Sequence, residues 1–162
     1  MSVIGIKITH DSTEKIKKSF ELLMKKDVLV GIPSDGIDRE DSDDANNAEI
    51  GYMAEFGCPE KNIPERSWLQ PGIVDGKKDI EKYLQKAATF AIEGNSSGVD
   101  TALRYTGETA KNSVKAKVVN GPFQELAKYT LAQRKKRGVT RESPLIDTGQ
   151  FLNSINYVIR EK

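Results

Sequence analysis

Apolar and polar positions alternate from Val3 to Thr9, with Ile4, Ile6 and Ile8 on one side, and this period of two predicts a half-buried strand. Asp11 and Glu14 stand at capping-box spacing, where each side chain satisfies an orphan amide at a helix start. The helix predicted to follow carries Ile16, Ser19, Phe20 and Leu23 on one stripe and ends near Lys26. Val28–Ile32 predicts a short buried strand closed by Pro33, and an acidic surface loop follows at about 34–46. A loop of that length is either mobile or engaged by a partner.

Asn46 and Glu49 repeat the capping-box spacing, and Gly57 is a natural C-terminal stop. Ile50, Met53, Ala54 and Phe56 leave the intervening helix little polar face, so it is expected to be well buried. Pro59, Pro64 and Pro71 predict an extended arm, because each fixes its own φ and biases its predecessor away from helix. A long helix is predicted from Asp75 to Glu93, with Ile80, Leu84, Ala87, Ala88 and Ala91 on its stripe, broken by Gly94–Gly98. A second spans Val99 to Val118 on Val99, Leu103, Thr106, Ala110 and Val114, interrupted by Gly107. After the Asn120-Gly121-Pro122 turn, Ala127 to Lys136 reads as a basic helix, and Asn156–Arg160 favours a closing strand. The mixture lacks a βαβ rhythm. It predicts one α+β domain over 1–162, with a small, mostly antiparallel sheet packed against a long central helix and shorter helices.

Composition changes this picture little. With 162 residues, 37% hydrophobic and 30% charged, the chain is long enough for an ordinary core. A net charge of +1 implies no bulk attraction to nucleic acid or to an anionic membrane. One cysteine, Cys58, excludes an internal disulfide. No apolar run reaches the ~18 residues of a membrane helix, and no signal-peptide pattern opens the sequence, so synthesis in the cytoplasm is expected. The near-neutral total conceals two blocks. Asp35, Asp38, Glu40, Asp41, Asp43 and Asp44 face only Arg39 within 35–44, whereas Lys128, Arg134, Lys135, Lys136, Arg137 and Arg141 have no acid among them within 128–141. Such blocks are solvated or partner-facing.

Candidate chemistry is sparse. Asp147-Thr148-Gly149 matches an aspartic-protease triplet, but that chemistry needs a twin carboxylate, hence a homodimer, and only 13 residues follow Gly149. The alternative makes Asp147 a helix N-cap with Gln150 at N3, and Ile146 and Phe151 as a hydrophobic staple. Asp38, Glu40, Ser42, Asp44, Asn46 and Glu49 fall at calcium-loop spacing, yet Asp43 holds the place where glycine is required. His10 and Cys58 lack the companions of a zinc site. No cofactor is expected. Arg134-Lys135-Lys136-Arg137 suits non-specific proximity to DNA or to an acidic protein surface, and nothing interleaves it to read bases. Trp68, Leu69 and Arg66 on the arm have the residue types of binding hot spots. The arm either meets a neighbour or folds back onto its own core, and both readings stand at this point.

Taken in order, Asn47–Gly57, the Ile63-Pro64-Glu65-Arg66-Ser67-Trp68-Leu69 arm and Pro144–Ile155 give the chain a family likeness. From about Val28 to Arg160 it resembles the small virion-morphogenesis proteins of tailed bacteriophages, the neck or tail-completion family. Ser67 stands where that pattern usually has proline, and the acidic stretch at 35–46 is longer than in the pattern. The resemblance implies a virion structural protein without catalytic residues. It would form a ring, six-fold by expectation, between the portal–adaptor complex and the tail tube, with a tail terminator as the alternative role. The interaction candidates are Asp38, Glu40, Asp41, Asp43 and Asp44 in the acidic block, Glu55, Phe56, Arg66, Trp68 and Leu69 around the arm, and Arg134, Lys135, Lys136 and Arg137. A ring needs heterologous contacts between two different patches, and the two charge blocks are candidates for such a pair.

Overall fold

A computed structural model describes residues 11–33 and 46–162. The predicted strand at Val3–Thr9 and the acidic block lie outside them. The described elements are α1 (Thr13–Lys25), β1 (Lys26–Gly31), α2 (Asn47–Phe56), a 3-10 turn at Pro59–Lys61, α3 (Leu69–Asp75), α4 (Lys77–Ile92), α5 (Ser96–Asn120), α6 (Lys128–Lys136), α7 (Gln150–Ser154) and β2 (Asn156–Glu161). This is the α+β class read from the sequence.

The frame is the α4–α5 hairpin. α5, at 25 residues about 37 Å long, runs past everything else. Asn95 caps its start by accepting the Gly98 N–H at 2.9 Å, so the helix begins inside the predicted Gly94–Gly98 break. Its buried stripe of Val99, Ala102, Leu103, Thr106, Ala110, Val114 and Val118 serves two clusters. One joins Ala87 and Ala91 of α4 to Val99, Ala102 and Leu103, with Leu22, Leu23 and Val28 against them. The other joins Val114 and Val118 to Ala54, Trp68, Phe151 and Ile155. β1 and β2 pair antiparallel, Lys26 opposite Glu161 and Gly31 opposite Asn156, and lie on α5. Lys26 fixes the strand by donating to Asp100 at 2.7 Å.

Gly107 shows why a poor helix former sits in mid-α5. A Cβ there would overlap the Tyr157 ring, so the missing side chain lets β2 approach the helix. Gly72 does the same for α3, where a Cβ would lie 2.8 Å from the Val114 Cα.

Three expectations are corrected. Asp11 and Glu14 form no capping box: Ser12 is the N-cap and Asp11 Oδ1 instead accepts the Thr13 N–H at 2.9 Å, a local turn. The arm is not extended throughout: Pro59–Lys61 form a 3-10 turn and Leu69 opens α3; Pro71 is the third residue of α3, where a missing N–H costs nothing. The helix predicted over 75–93 is α4, Lys77–Ile92, with Gly76 separating it from α3. Finally, α2 is buried on one side only. Ala54 is buried, but Tyr52 and Phe56 are 68% and 58% exposed, their rings 4.9 Å apart. An apolar composition gave α2 no moment to orient it, and Glu55, not Phe56, turns inward.

Candidate functional site

The three stretches quoted for the resemblance converge. Asn46 builds the capping box of α2, accepting the Glu49 N–H at 2.9 Å while Glu49 Oε2 accepts the Asn46 N–H at 3.2 Å. α2 then presents Glu55, 5% exposed, to the arm. Its Oε2 accepts the Trp68 and Leu69 N–H groups at 2.7 and 2.8 Å, and its Oε1 accepts the Gln70 N–H at 3.1 Å and the Ser67 hydroxyl at 2.9 Å. The first amides of a helix have no intrahelical partner, so a carboxylate from another helix caps α3 from outside. Burial alone would raise the Glu55 pKa. The hydrogen bonds from Leu69, Gln70, Trp68 and Ser67 outweigh it and hold the carboxyl below its ordinary value.

Trp68 resolves the open reading of the arm. It is 3% exposed, donates Nε1–H to the Gly51 carbonyl at 3.0 Å and meets Phe151 of α7 edge-on, centroids 5.1 Å apart. Leu69 packs against the same cluster. Arg66 donates Nε–H to the Gln124 carbonyl at 3.0 Å and Nη2–H to the Glu125 carbonyl at 3.3 Å, tying the arm to the segment before α6. Glu55, Trp68 and Leu69, proposed from sequence as partner contacts, are thus internal joints of the fold. Backbone donors and a nearby core reached them first.

The basic run divides as well. Arg134, 5% exposed, points inward and its guanidinium holds the loop ahead of α7. Nη1 donates to the carbonyls of Arg141, Ser143 and Ile146 at 3.1, 2.8 and 3.1 Å, and Nη2 to that of Pro144 at 3.1 Å. Five donors in a rigid fork suit four converging carbonyls. Burial lowers the Arg134 pKa, Arg137 adds to this, and Asp147 opposes both. Lys135 and Lys136 remain exposed at the end of α6, with Arg137 beside them.

Asp147 is corrected. Gly149, at φ 96°, is the N-cap of α7, and Gln150 is its first residue rather than N3, so the predicted cap does not form. The Asp147 carboxylate turns to the arginines instead, Oδ2 lying 2.8 Å from Arg137 Nη2 and Oδ1 3.7 Å from Arg134 Nε. Two guanidiniums outcompete backbone amides for the charge. Within the chain its near neighbours are these two cations.

Of the proposed contacts, Phe56, Lys135, Lys136 and Arg137 are on the surface. Asp38, Glu40, Asp41, Asp43 and Asp44, and most of the calcium-spaced set with them, lie outside the described residues. Its last two members, Asn46 and Glu49, are engaged with each other. Among the described residues no group of three or more His, Cys, Asp or Glu could hold a metal ion, and no helix is long and apolar enough to cross a membrane. Sequence reasoning did not foresee that Glu55 and Arg134 brace the fold. The available signal was a lone acid in an apolar helix ahead of a proline-set arm, and an arginine opening a basic run. Compared with known proteins, the chain matches no family model, no curated protein and no solved structure.

Proposed function

We propose that this chain is a structural protein of a tailed-phage virion, forming a ring that completes the tail and joins it to the portal–adaptor complex. The observation that carries the reading is the convergence of the three resembling stretches in one joint. α2 and the arm meet through Glu55 and Trp68, and the 144–155 stretch joins them through Phe151, Ile155 and the Arg134 clamp. A set of individually weak motifs that builds one joint behaves as a unit of the fold, as a shared architecture requires. The joint leaves the Tyr52–Phe56 pair and Lys135 and Lys136 outside, giving apolar and cationic surface for neighbours.

Negative-stain microscopy and analytical ultracentrifugation of the purified protein, alone and with tail tubes, test the reading. Rings are expected, alone or on tube ends, and binding to free tube ends without portal proteins would identify the terminator role. The double variant Lys135→Glu/Lys136→Glu should keep its fold by circular dichroism and lose assembly, with the wild-type assembly weakening as salt rises. A protein that stays monomeric under all these conditions, tail tubes included, overturns the proposal.

A further inference from the structure

Away from its buried stripe, α5 presents a second face. Thr101, Arg104, Tyr105 and Glu108 stand at i, i+3, i+4 and i+7 and share one side of the helix. With Tyr157 of β2 they line a pocket of about 290 Å³, near the lower end of the range for small-molecule sites. Both tyrosines are fixed by neighbours. Tyr105, 54% exposed, stacks on Tyr83 of α4, ring centroids 5.3 Å apart and planes within 18°. Tyr157 rests on α5 at Gly107, and the Lys111 ammonium stands 5.5 Å from its ring centroid. Between the rings Arg104 is a donor and Glu108 an acceptor. The Lys111 hydrogen bond, at 2.8 Å, holds the Glu108 carboxyl below its ordinary value, so it is ionised at neutral pH. Lys111 and a 3.5 Å contact from Asn112 use only part of the roughly four lone-pair sites of that carboxylate. Charge narrows the ligand further. Arg104, Lys111 and Lys115 lie along this face with Glu108, and Lys86 stands 5.2 Å from the Tyr83 ring centroid. That balance favours an aromatic ligand carrying negative charge.

We propose that this pocket binds a guanine nucleotide, free or within a single-stranded nucleic acid, with the base against Tyr105 and Tyr157 and the phosphate toward Arg104 and Lys111. Stacking on aromatic rings is open to any base, because every base has a π-face. Glu108 supplies the selection. Guanine alone among the bases sets two N–H donors side by side on its Watson–Crick edge, N1–H and the N2 amino group, where one carboxylate accepts both. Bases splayed out of a strand are read in this way, by stacking and by hydrogen bonds to that edge, and a duplex hides both. The inference is independent of the phage reading and uses none of the α6 lysines assigned to assembly.

Fluorescence anisotropy on the intact chain, with labelled single strands of about twelve nucleotides, tests it. A strand alternating guanine and thymine should bind about tenfold more tightly than oligothymidylate or the matching duplex. Tyr105→Ala should weaken that binding about tenfold, whereas Tyr105→Phe, which keeps the ring, should not. Circular dichroism checks that both variants fold. Glu108→Gln should erase the preference for guanine over thymine, since a carboxamide has one acceptor oxygen. Competition with guanosine 5′-monophosphate separates the two sources of ligand. Displacement at the strand's own Kd assigns the pocket to the free nucleotide, and much weaker displacement assigns it to the strand. Absence of binding by strand and mononucleotide alike overturns the proposal, as does binding that survives Tyr105→Ala or a duplex held as tightly as the strand. Loss of binding in Lys135→Glu/Lys136→Glu but not in Tyr105→Ala also overturns it, because the nucleic acid would then lie on α6.

Discussion

Glu55 accepts four hydrogen bonds from three consecutive backbone amides and a hydroxyl, in surroundings that would otherwise penalise its charge. Truncation to alanine leaves buried donors unpaired, and the expected loss is about 3 kcal/mol in urea denaturation. Its folded-state pKa is depressed, so the stabilisation is fully present above the ordinary glutamate value of about 4.3 and is lost as pH falls through the lower folded value. Glu55→Gln should remove that portion of the acid dependence, which melts taken from pH 7 to pH 3 would reveal. Arg134 makes a second residue-scale test. Lysine keeps the charge but cannot reach four carbonyls with one ammonium, so Arg134→Lys is expected to cost about 2 kcal/mol, while Lys135→Glu stays within about 0.5 kcal/mol of wild type. Equal effects in urea melts at the two positions would mean that Arg134 is no clamp.

At the level of elements, α5 depends on contact more than on propensity. Alanine at 107 would add roughly 1 kcal/mol of helix preference but force the Tyr157 ring and β2 away. Gly107→Ala is expected to be destabilising by about 2 kcal/mol net, with a lower thermal midpoint; a raised midpoint would show that β2 is not seated on the helix. The same position marks how much of the fold was legible in the sequence. The α5 stripe, the β1 and β2 runs and the Asn46–Glu49 box could be read because periodicity and capping act between residues a few places apart. Gly107 looked like a weak point because Tyr157, which explains it, lies fifty positions away. The inward turn of Glu55 and the arginine hold on Asp147 were hidden for a similar reason. Their partners lie 10 to 15 positions away, beyond the reach of periodicity and capping. As for the candidate site, residue types on the arm and basic run were identified, but not which of them the fold would use itself.

For the molecule as a whole, surface remaining for partners is what the internal joints leave over. Arg66 and Arg134 give their guanidiniums to carbonyls of their own chain, whereas Lys135, Lys136 and the Tyr52–Phe56 pair have no such use among the described residues. A contact between copies would then combine apolar burial with charge attraction, and only the second responds to ionic strength. This is why the salt series and the lysine double variant address the assembly proposal without disturbing the fold.

The pairing of Lys26 with Glu161 has a consequence for biosynthesis. The partners are 135 positions apart (161 − 26), so at translation rates of about 5–20 residues per second the ribosome makes the first strand roughly 7 to 27 s before the second. The α4–α5 hairpin can form once Asn120 has been made, late in that interval, whereas Val28, Leu29 and Val30 have no β2 to pair with until its end. The last step of folding is then a long-range closure late in translation, slow on grounds of loop entropy.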